Sequence, residues 1–411
     1  MRRLRSILGA VTPPLEARHQ PSGLNSLFSE KLLAGHPNGD HLAFADYVAL
    51  NRDMIRQTRL KTDAASLEKI VDGNSPFELK PAAGYPSGHQ KTYRRGVLLT
   101  HGLTGSPYFM RYLAAFFQKN GFRVMAVLLP GHGTQPGDLL EVTRQEWAKT
   151  VAYGADRLAE EVDEVYLAGY SIGGALSVYQ SLRDSRVRGL FLFSPAIRIT
   201  RMAALANLHK LYSWLTPSAK WVEIMPDRDI YKYESFTKHA AAQTHALTRE
   251  LSARLRQHEL DIPVFTAASE DDAKVNTSAI LEFMTHARHP SSKLVLYTTD
   301  PQKYPPGFPA GQLELVNSVV PEQKILSSAH TAIVLPADDI HYGARGEYSN
   351  CMHYYPDDME KYDACINNPA ADFQGEITGE NLKAGILRRL MYNPNFAALK
   401  VSMKRFIDDL P

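Results

Sequence analysis

From residue 94 onward, short runs of β-branched residues and leucine alternate with longer stretches in which apolar positions recur every three or four residues. The runs Gly96–Thr100, Arg123–Pro130, Glu164–Gly169, Gly189–Ser194, Pro263–Ala268 and Lys293–Thr298 read as strands. Tyr108–Asn120, Thr143–Glu161 and Ile172–Arg183 lie between them and read as helices. Strands separated by helices in this way predict an α/β protein with a mostly parallel central sheet flanked by helices.

The alternation breaks at Pro195. The stretch 196–260 is rich in helix formers and in aromatics (Tyr212, Trp214, Trp221, Tyr231, Tyr233, Phe236), and is expected to be an inserted helical cap beside the strand ends. Asp300–Gln323 carries five prolines and reads as irregular. Glu380–Leu410 reads as two helices broken at Asn393-Pro394-Asn395. Before the core, Gly/Pro-rich stretches surround one amphipathic candidate, Leu42–Leu60. The expected division is an N-terminal extension over 1–90, a core over 91–195 and 261–340, a cap over 196–260, and a C-terminal helical extension over 341–411.

Composition narrows the function. Over 411 residues, Lys+Arg 46 against Asp+Glu 44 gives a net charge of +2, so there is no electrostatic case for a nucleic-acid partner. No apolar run reaches the ~18 residues of a membrane-spanning helix. The start, Met1-Arg-Arg-Leu-Arg-Ser-Ile-Leu-Gly-Ala-Val11, makes a poor secretory signal because its apolar stretch is interrupted and runs into Thr12-Pro13-Pro14. With only Cys351 and Cys365, a disulfide framework and a four-Cys zinc site are excluded; a cytoplasmic protein with two free thiols is expected.

The chemistry starts at Gly169-Tyr170-Ser171-Ile172-Gly173-Gly174, which sits directly between a strand and a helix. This is the G-x-S-x-G nucleophile elbow in its required setting. The turn is sharp enough that nearby side chains would collide with the backbone, so glycines flank the serine. Ser171 is thereby exposed at a helix N-terminus, where backbone N–H groups favour developing negative charge. Upstream, the strand Gly96–Thr100 runs into His101-Gly-Leu-Thr-Gly-Ser-Pro107. The backbone amides of Leu103 and Ile172 are the expected oxyanion-hole donors.

Three segments together, His101–Pro107, Leu128-Leu-Pro-Gly-His-Gly-Thr134 and Gly169–Gly174, resemble the bacterial carboxylesterases and monoacylglycerol lipases of the α/β-hydrolase fold. That resemblance covers Arg95–Ala196 and extends through Asn276. It implies a Ser–Asp–His triad in that chain order, a helical cap, hydrolysis of carboxylic esters through an acyl-enzyme, and no cofactor. The N-terminal 90 residues, Asp300–Gln323 and the last 70 residues depart from compact family members. In the loop Ser269-Glu-Asp-Asp-Ala-Lys-Val-Asn276, the family register puts the acid three residues before an apolar one. Asp272 fits, Asp271 is one residue short, and Glu270 is a third carboxylate. For the base, His330 in Ser327-Ser-Ala-His-Thr331 resembles the family's histidine loop, with His341 and His353 as alternatives. His132 lies on the wrong side of the serine in chain order and reads as structural.

Neither Asp338-Asp339-Ile-His341 nor Cys351-Met-His353 offers metal-ligand spacing, so no metal is expected. The expected partner is a small-molecule ester with an apolar acyl chain. Thioester cleavage, aminopeptidase action, acyl transfer, and a catalytically inactive ligand-binding homologue remain alternative readings of the same parts.

Overall fold

The computed structural model of the chain describes residues 13–25, 42–59, 62–82, 90–198, 217–303, 308–309 and 311–410. Two helices, α1 (Phe44–Thr58) and α2 (Ala64–Asn74), precede a short strand, β1 (Phe77–Leu79). The alternating part then runs β2 (Tyr93–Thr100), α3 (Arg111–Lys119), β3 (Phe122–Val127), α4 (Arg144–Glu161), β4 (Val162–Tyr170), α5 (Ile172–Ser181) and β5 (Val187–Phe193). A small antiparallel hairpin, β6 (Trp221–Glu223) with β7 (Phe236–Thr237), leads into the long helix α6 (Lys238–Leu255). Next come β8 (Val264–Ser269), α7 (Thr277–His286), β9 (Lys293–Thr298) and β10 (Leu313–Asn317). The last described elements are α8 (Met359–Asn367), the parallel pair β11 (Phe373–Gly375) and β12 (Leu387–Arg389), and α9 (Phe396–Asp408).

Among the described residues eight strands form one sheet in the order β1-β3-β2-β4-β5-β8-β9-β10. Every pairing is parallel except β1 on β3 at one edge. Successive strand residues point to opposite faces, and each face feeds its own core. Leu98, Met125, Val127, Leu167, Leu190 and Leu192 join the core under α4, α5, α6 and α7. Their neighbours Val97, Leu99, Val124, Ala126, Ala168, Phe191 and Phe193 join the core under α3 and α9. A strand buried on both faces must be apolar throughout, which is why the central strands read as continuous hydrophobic runs. Helix α4 starts where the sequence says it should. Thr143 accepts from the Glu146 N–H at 3.3 Å and the Glu146 carboxylate accepts from the Thr143 N–H at 2.7 Å, a capping box that satisfies two end donors.

The outer parts differ from expectation. Leu313–Asn317, inside the stretch read as irregular, is a strand paired with β9 from Leu313↔Leu294 to Asn317↔Thr298; the prolines before it hid a short alternating run. The first of the two helices expected in Glu380–Leu410 is absent: Gly385 at φ 135° cannot continue a helix, and Leu387–Arg389 pairs with β11 instead. Between 217 and 260 the stretch expected to be a helical cap combines a hairpin and a helix rather than helices alone, and its Tyr212 and Trp214 lie outside the described residues. The expectation of free thiols is also overturned. Cys351 and Cys365, both fully buried with Cα atoms 6.1 Å apart, form a disulfide. Their 14-residue spacing is bridged by a turn and α8, which fold the chain back on itself. Among the described residues no helix is long and apolar enough to cross a membrane.

Candidate active site

The carboxyl ends of β2, β4 and β8 meet on one edge of the sheet, and each ends in a loop that carries chemistry. Ser171, between β4 and α5, has φ 56° and ψ −117°, a strained backbone for a residue with a side chain. The surroundings leave it no alternative. Its N–H donates to the Phe193 carbonyl at 2.9 Å, and its carbonyl accepts from Ala196 N–H at 2.9 Å. A Cβ at Gly169 would stand 2.2 Å from the Gly173 carbonyl, and one at Gly173 would stand 2.1 Å from the Thr100 carbonyl oxygen. The spacing of the motif is therefore a steric requirement.

His330 arrives from far down the chain. Its Nε2 lies 3.0 Å from Ser171 Oγ and its Nδ1 lies 2.6 Å from Asp272 Oδ2. A carboxylate cannot donate, so Nδ1 carries the proton and Nε2 is left to accept from the serine hydroxyl. Asp272 is fixed by its second oxygen, Oδ1, which accepts from the N–H groups of Lys274 at 2.8 Å and Val275 at 2.9 Å. Burial pushes the Asp272 carboxyl up, but the His330 ring and the two backbone amides outweigh it and hold the group below the usual carboxylate range. Both partners are nearly out of solvent, with side chains 9% and 1% exposed for His330 and Asp272.

The rejected neighbours have other partners. Glu270 bonds to the Thr298 hydroxyl. Asp271, raised to about 6 by burial and by Glu270, sends one carboxylate oxygen into a buried position without a partner. His341 bridges Asp229 and Glu347, and His353 lines the cavity described below without touching Ser171. His132 bonds the carbonyls of Leu129 and Pro130 through Nδ1 and stacks on Tyr233. His101 is equally structural: Nδ1–H donates to the Gly102 carbonyl at 2.8 Å while Nε2 accepts from Leu129 N–H at 3.0 Å. Burial and the neighbouring His132 hold it well below the ordinary imidazole range, as that neutral tautomer requires. The loop carrying Leu103 is tied to the loop between β6 and β7, since Thr104 accepts from Tyr233 N–H at 2.8 Å.

A cavity of about 350 Å³ opens in front of Ser171, with Leu103 and Ile172 in its wall. One part of that wall was not legible in the sequence. Asn350, Met352, His353 and Arg389 all come from beyond His330, and Cys351, disulfide-bonded, sits in the middle of the first three. Glu376 is a further residue that the motifs did not flag. Fully buried, it accepts from His330 N–H at 3.0 Å and from Ile377 N–H at 2.8 Å, and lies 3.3 Å from Arg389 Nη2. No local pattern marks it, because its partner is 46 positions away.

A parallel sheet of this order, with a strained serine between strand and helix, defines an α/β-hydrolase fold. A family model described as serine aminopeptidase, S33 matches residues 91–299, and the chain belongs to that family. The match takes in Leu103, Ser171, Ile172 and Asp272 and stops before His330. A thermostable monoacylglycerol lipase of Bacillus sp. (strain H-257) is 35% identical over 109 residues, which are 26% of this chain and 44% of the lipase. A carboxylesterase of Bacillus subtilis (strain 168) is 32% identical over 85 residues, 20% of this chain and 35% of the esterase. The chain thus spans less than half the length of either relative. A solved structure from a pair of metagenome-derived lipolytic enzymes covers 55% of this chain and 87% of its own, at 23% identity and a TM-score of 0.45.

Proposed function

We propose that this chain is a serine hydrolase of carboxylic esters, with Ser171 as nucleophile, His330 as general base and acid, and Asp272 as the orienting carboxylate. One observation carries the reading: a hydroxyl, an imidazole and a buried carboxylate stand in line at 3.0 and 2.6 Å. Ser171 Oγ attacks the ester carbonyl as its proton passes to His330 Nε2. Asp272 holds the tautomer and stabilises the imidazolium that forms. The N–H groups of Leu103 and Ile172 take the oxyanion, each contributing roughly 3–4 kcal/mol to lowering the barrier. His330 then protonates the leaving alkoxide, and a water activated by the same nitrogen releases the acid from Ser171. No step calls for a cofactor.

The matched relatives are a monoacylglycerol lipase and a carboxylesterase, and the apolar wall of Phe109, Ile172, Phe236 and Val275 suits an acyl chain. Aminopeptidase action fits less well. Three cations, Lys232, Lys274 and Arg389, line the cavity against two carboxylates, Glu223 and Glu234, so the free ammonium of a peptide would meet an excess of like charge. On this reading residues 196–260 cap the cavity, and the segment after 340 completes its wall. The Cys351–Cys365 disulfide favours an oxidising compartment over the cytoplasm.

A fluorophosphonate probe tests the assignment. Ser171 is expected to be labelled, and para-nitrophenyl esters to be cleaved faster than matched acyl-thioesters or aminoacyl arylamides. Ser171→Ala and His330→Ala are expected to abolish the turnover while leaving the fold intact. A folded wild-type protein that neither labels nor hydrolyses any of these substrates would refute the reading.

A further inference from the structure

The lining of the cavity is not apolar throughout. It also holds three cations, Lys232, Lys274 and Arg389, which reach one space from unrelated places in the chain. Lys232 comes from the loop between β6 and β7, Lys274 from the loop after β8, and Arg389 from β12.

The positive charge of the two lysines is answered only at a distance: Asp229, Glu234 and Glu223 act on Lys232, and Glu223 and Glu376 on Lys274, without direct contact. Among the described residues neither lysine ammonium has a hydrogen-bond or ion-pair partner. Arg389 shares Glu376, a carboxylate already occupied by two backbone N–H groups, and its own Nε is buried with nothing to bond. Two further carboxylates line the cavity. Glu223 is solvent-exposed, and Glu234 is engaged by the Tyr348 hydroxyl at 2.6 Å and Arg228 N–H at 2.9 Å. Burial raises the Glu234 carboxyl above the usual range, which weakens it as a countercharge. The lysines respond as crowded cations do. Lys274 is itself exposed, and the neighbouring charge of Arg389 pulls it down to about 8; burial lowers Lys232.

Beside them, the largely buried ring of His353 lies against the Leu387 backbone. Burial and the Arg389 charge hold this ring at about 4, so it is neutral near pH 7 and adds no charge to the wall. A neutral chain laid across this wall would leave the three cations without a countercharge, whereas a bound oxyanion would accept from Lys232, Lys274 and Arg389.

We propose that this part of the cavity is an anion subsite, and that the ester cleaved at Ser171 carries a carboxylate or phosphate held by Lys232, Lys274 and Arg389. The inference deepens the ester-hydrolase reading and rests on it.

The test compares para-nitrophenyl butyrate with three anionic esters. Mono-para-nitrophenyl glutarate carries a carboxylate on the acyl side, while para-butyryloxybenzoate and para-butyryloxyphenyl phosphate carry a carboxylate or phosphate on the alcohol side. At least one of them is expected to exceed the neutral ester in kcat/KM by about tenfold, and Lys232→Met and Lys274→Met should each reduce that ratio about tenfold. Lys232→Arg is expected to restore most of the preference. Independently of substrate choice, glutarate or inorganic phosphate should slow fluorophosphonate labelling of Ser171 in the wild type, and less so in Lys232→Met.

Preference for the neutral ester, or an anionic-to-neutral ratio untouched by both lysine variants, overturns the subsite. Failure of the hydrolase reading looks different: no labelling and no turnover of any ester. In that event calorimetry with glutarate and phosphate on wild type and Lys232→Met still decides whether anions bind here.

Discussion

The carboxylate of Glu376 accepts a hydrogen bond from the backbone N–H of His330 at 3.0 Å, and so holds the main chain of this histidine while Asp272 holds its ring. Glu376 touches none of the reacting atoms. Its Oε1 also meets Arg389 at 3.3 Å, so one buried carboxylate links the histidine loop to the wall of the cavity.

Glu376 is therefore expected to act as a positioning residue. Glu376→Ala should lower kcat roughly 10- to 100-fold with little change in KM, because a small displacement of a catalytic group is costly to rate and not to binding. Glu376→Gln keeps an acceptor for His330 N–H and should recover part of the loss. Equal losses in kcat for the two variants would count against positioning and favour a general destabilisation.

Replacing Asp272 by Asn takes away the acceptor that selects the His330 tautomer. A fall in kcat of about a thousandfold or more is expected, with the protein still folded. Stability should respond to pH with a defined sign. The folded Asp272 carboxyl lies below its ordinary value, so its ionised form stabilises the fold above about pH 4, and that contribution fades as the pH falls through the folded value. Urea unfolding of wild type and Asp272→Asn should differ most near neutrality and converge in acid. A gap that widens on acidification would contradict the sign.

Gly173→Ala puts a Cβ 2.1 Å from a backbone oxygen on β2, where no side-chain rotation relieves the clash. The expected outcome is a loss of about 4 kcal/mol or more, or a failure to fold. Ala at Gly379, which has nothing within 4 Å of its Cβ, should be close to neutral in the same urea assay.

The Cys351–Cys365 bridge closes a loop of about 15 residues, for which chain entropy gives roughly 3 kcal/mol. Cys351→Ser/Cys365→Ser is expected to unfold at lower urea and to raise KM for esters, since Asn350, Met352 and His353 border the cavity. Thiol titration of protein from an oxidising compartment should find no free thiol without denaturant and reductant.

What the sequence disclosed follows the range of the interactions involved. Ser171, with Gly169 and Gly173, obeys a local steric rule and is visible as spacing in a short string. The strands around it are buried on both faces, so each declares itself as an apolar run. Asp272 was separable from Asp271 and Glu270 only by register, and His330 from His341 only by the loop around it. The structure puts Asp272 and His330 within reach of one another and sends the rest to other partners. Glu376, Lys232 and Arg389 were not legible at all. Their meaning comes from contacts between segments distant in sequence, and a lone charged residue in a loop or short strand carries no periodic signal. Gly385 could have warned against a helix before β12, because a left-handed backbone there ends any helical pattern.

The order of the parts along the chain has a consequence for biosynthesis. The elbow strand leaves the ribosome first, and the histidine loop and its Glu376 anchor follow it some tens of seconds later at ~5–20 residues per second. Throughout that interval the serine is already translated but has no base to activate it. If the proposed triad is the catalytic one, a nascent polypeptide of this kind is born inert toward esters, and acquires reactivity only when the segment behind His330 has docked.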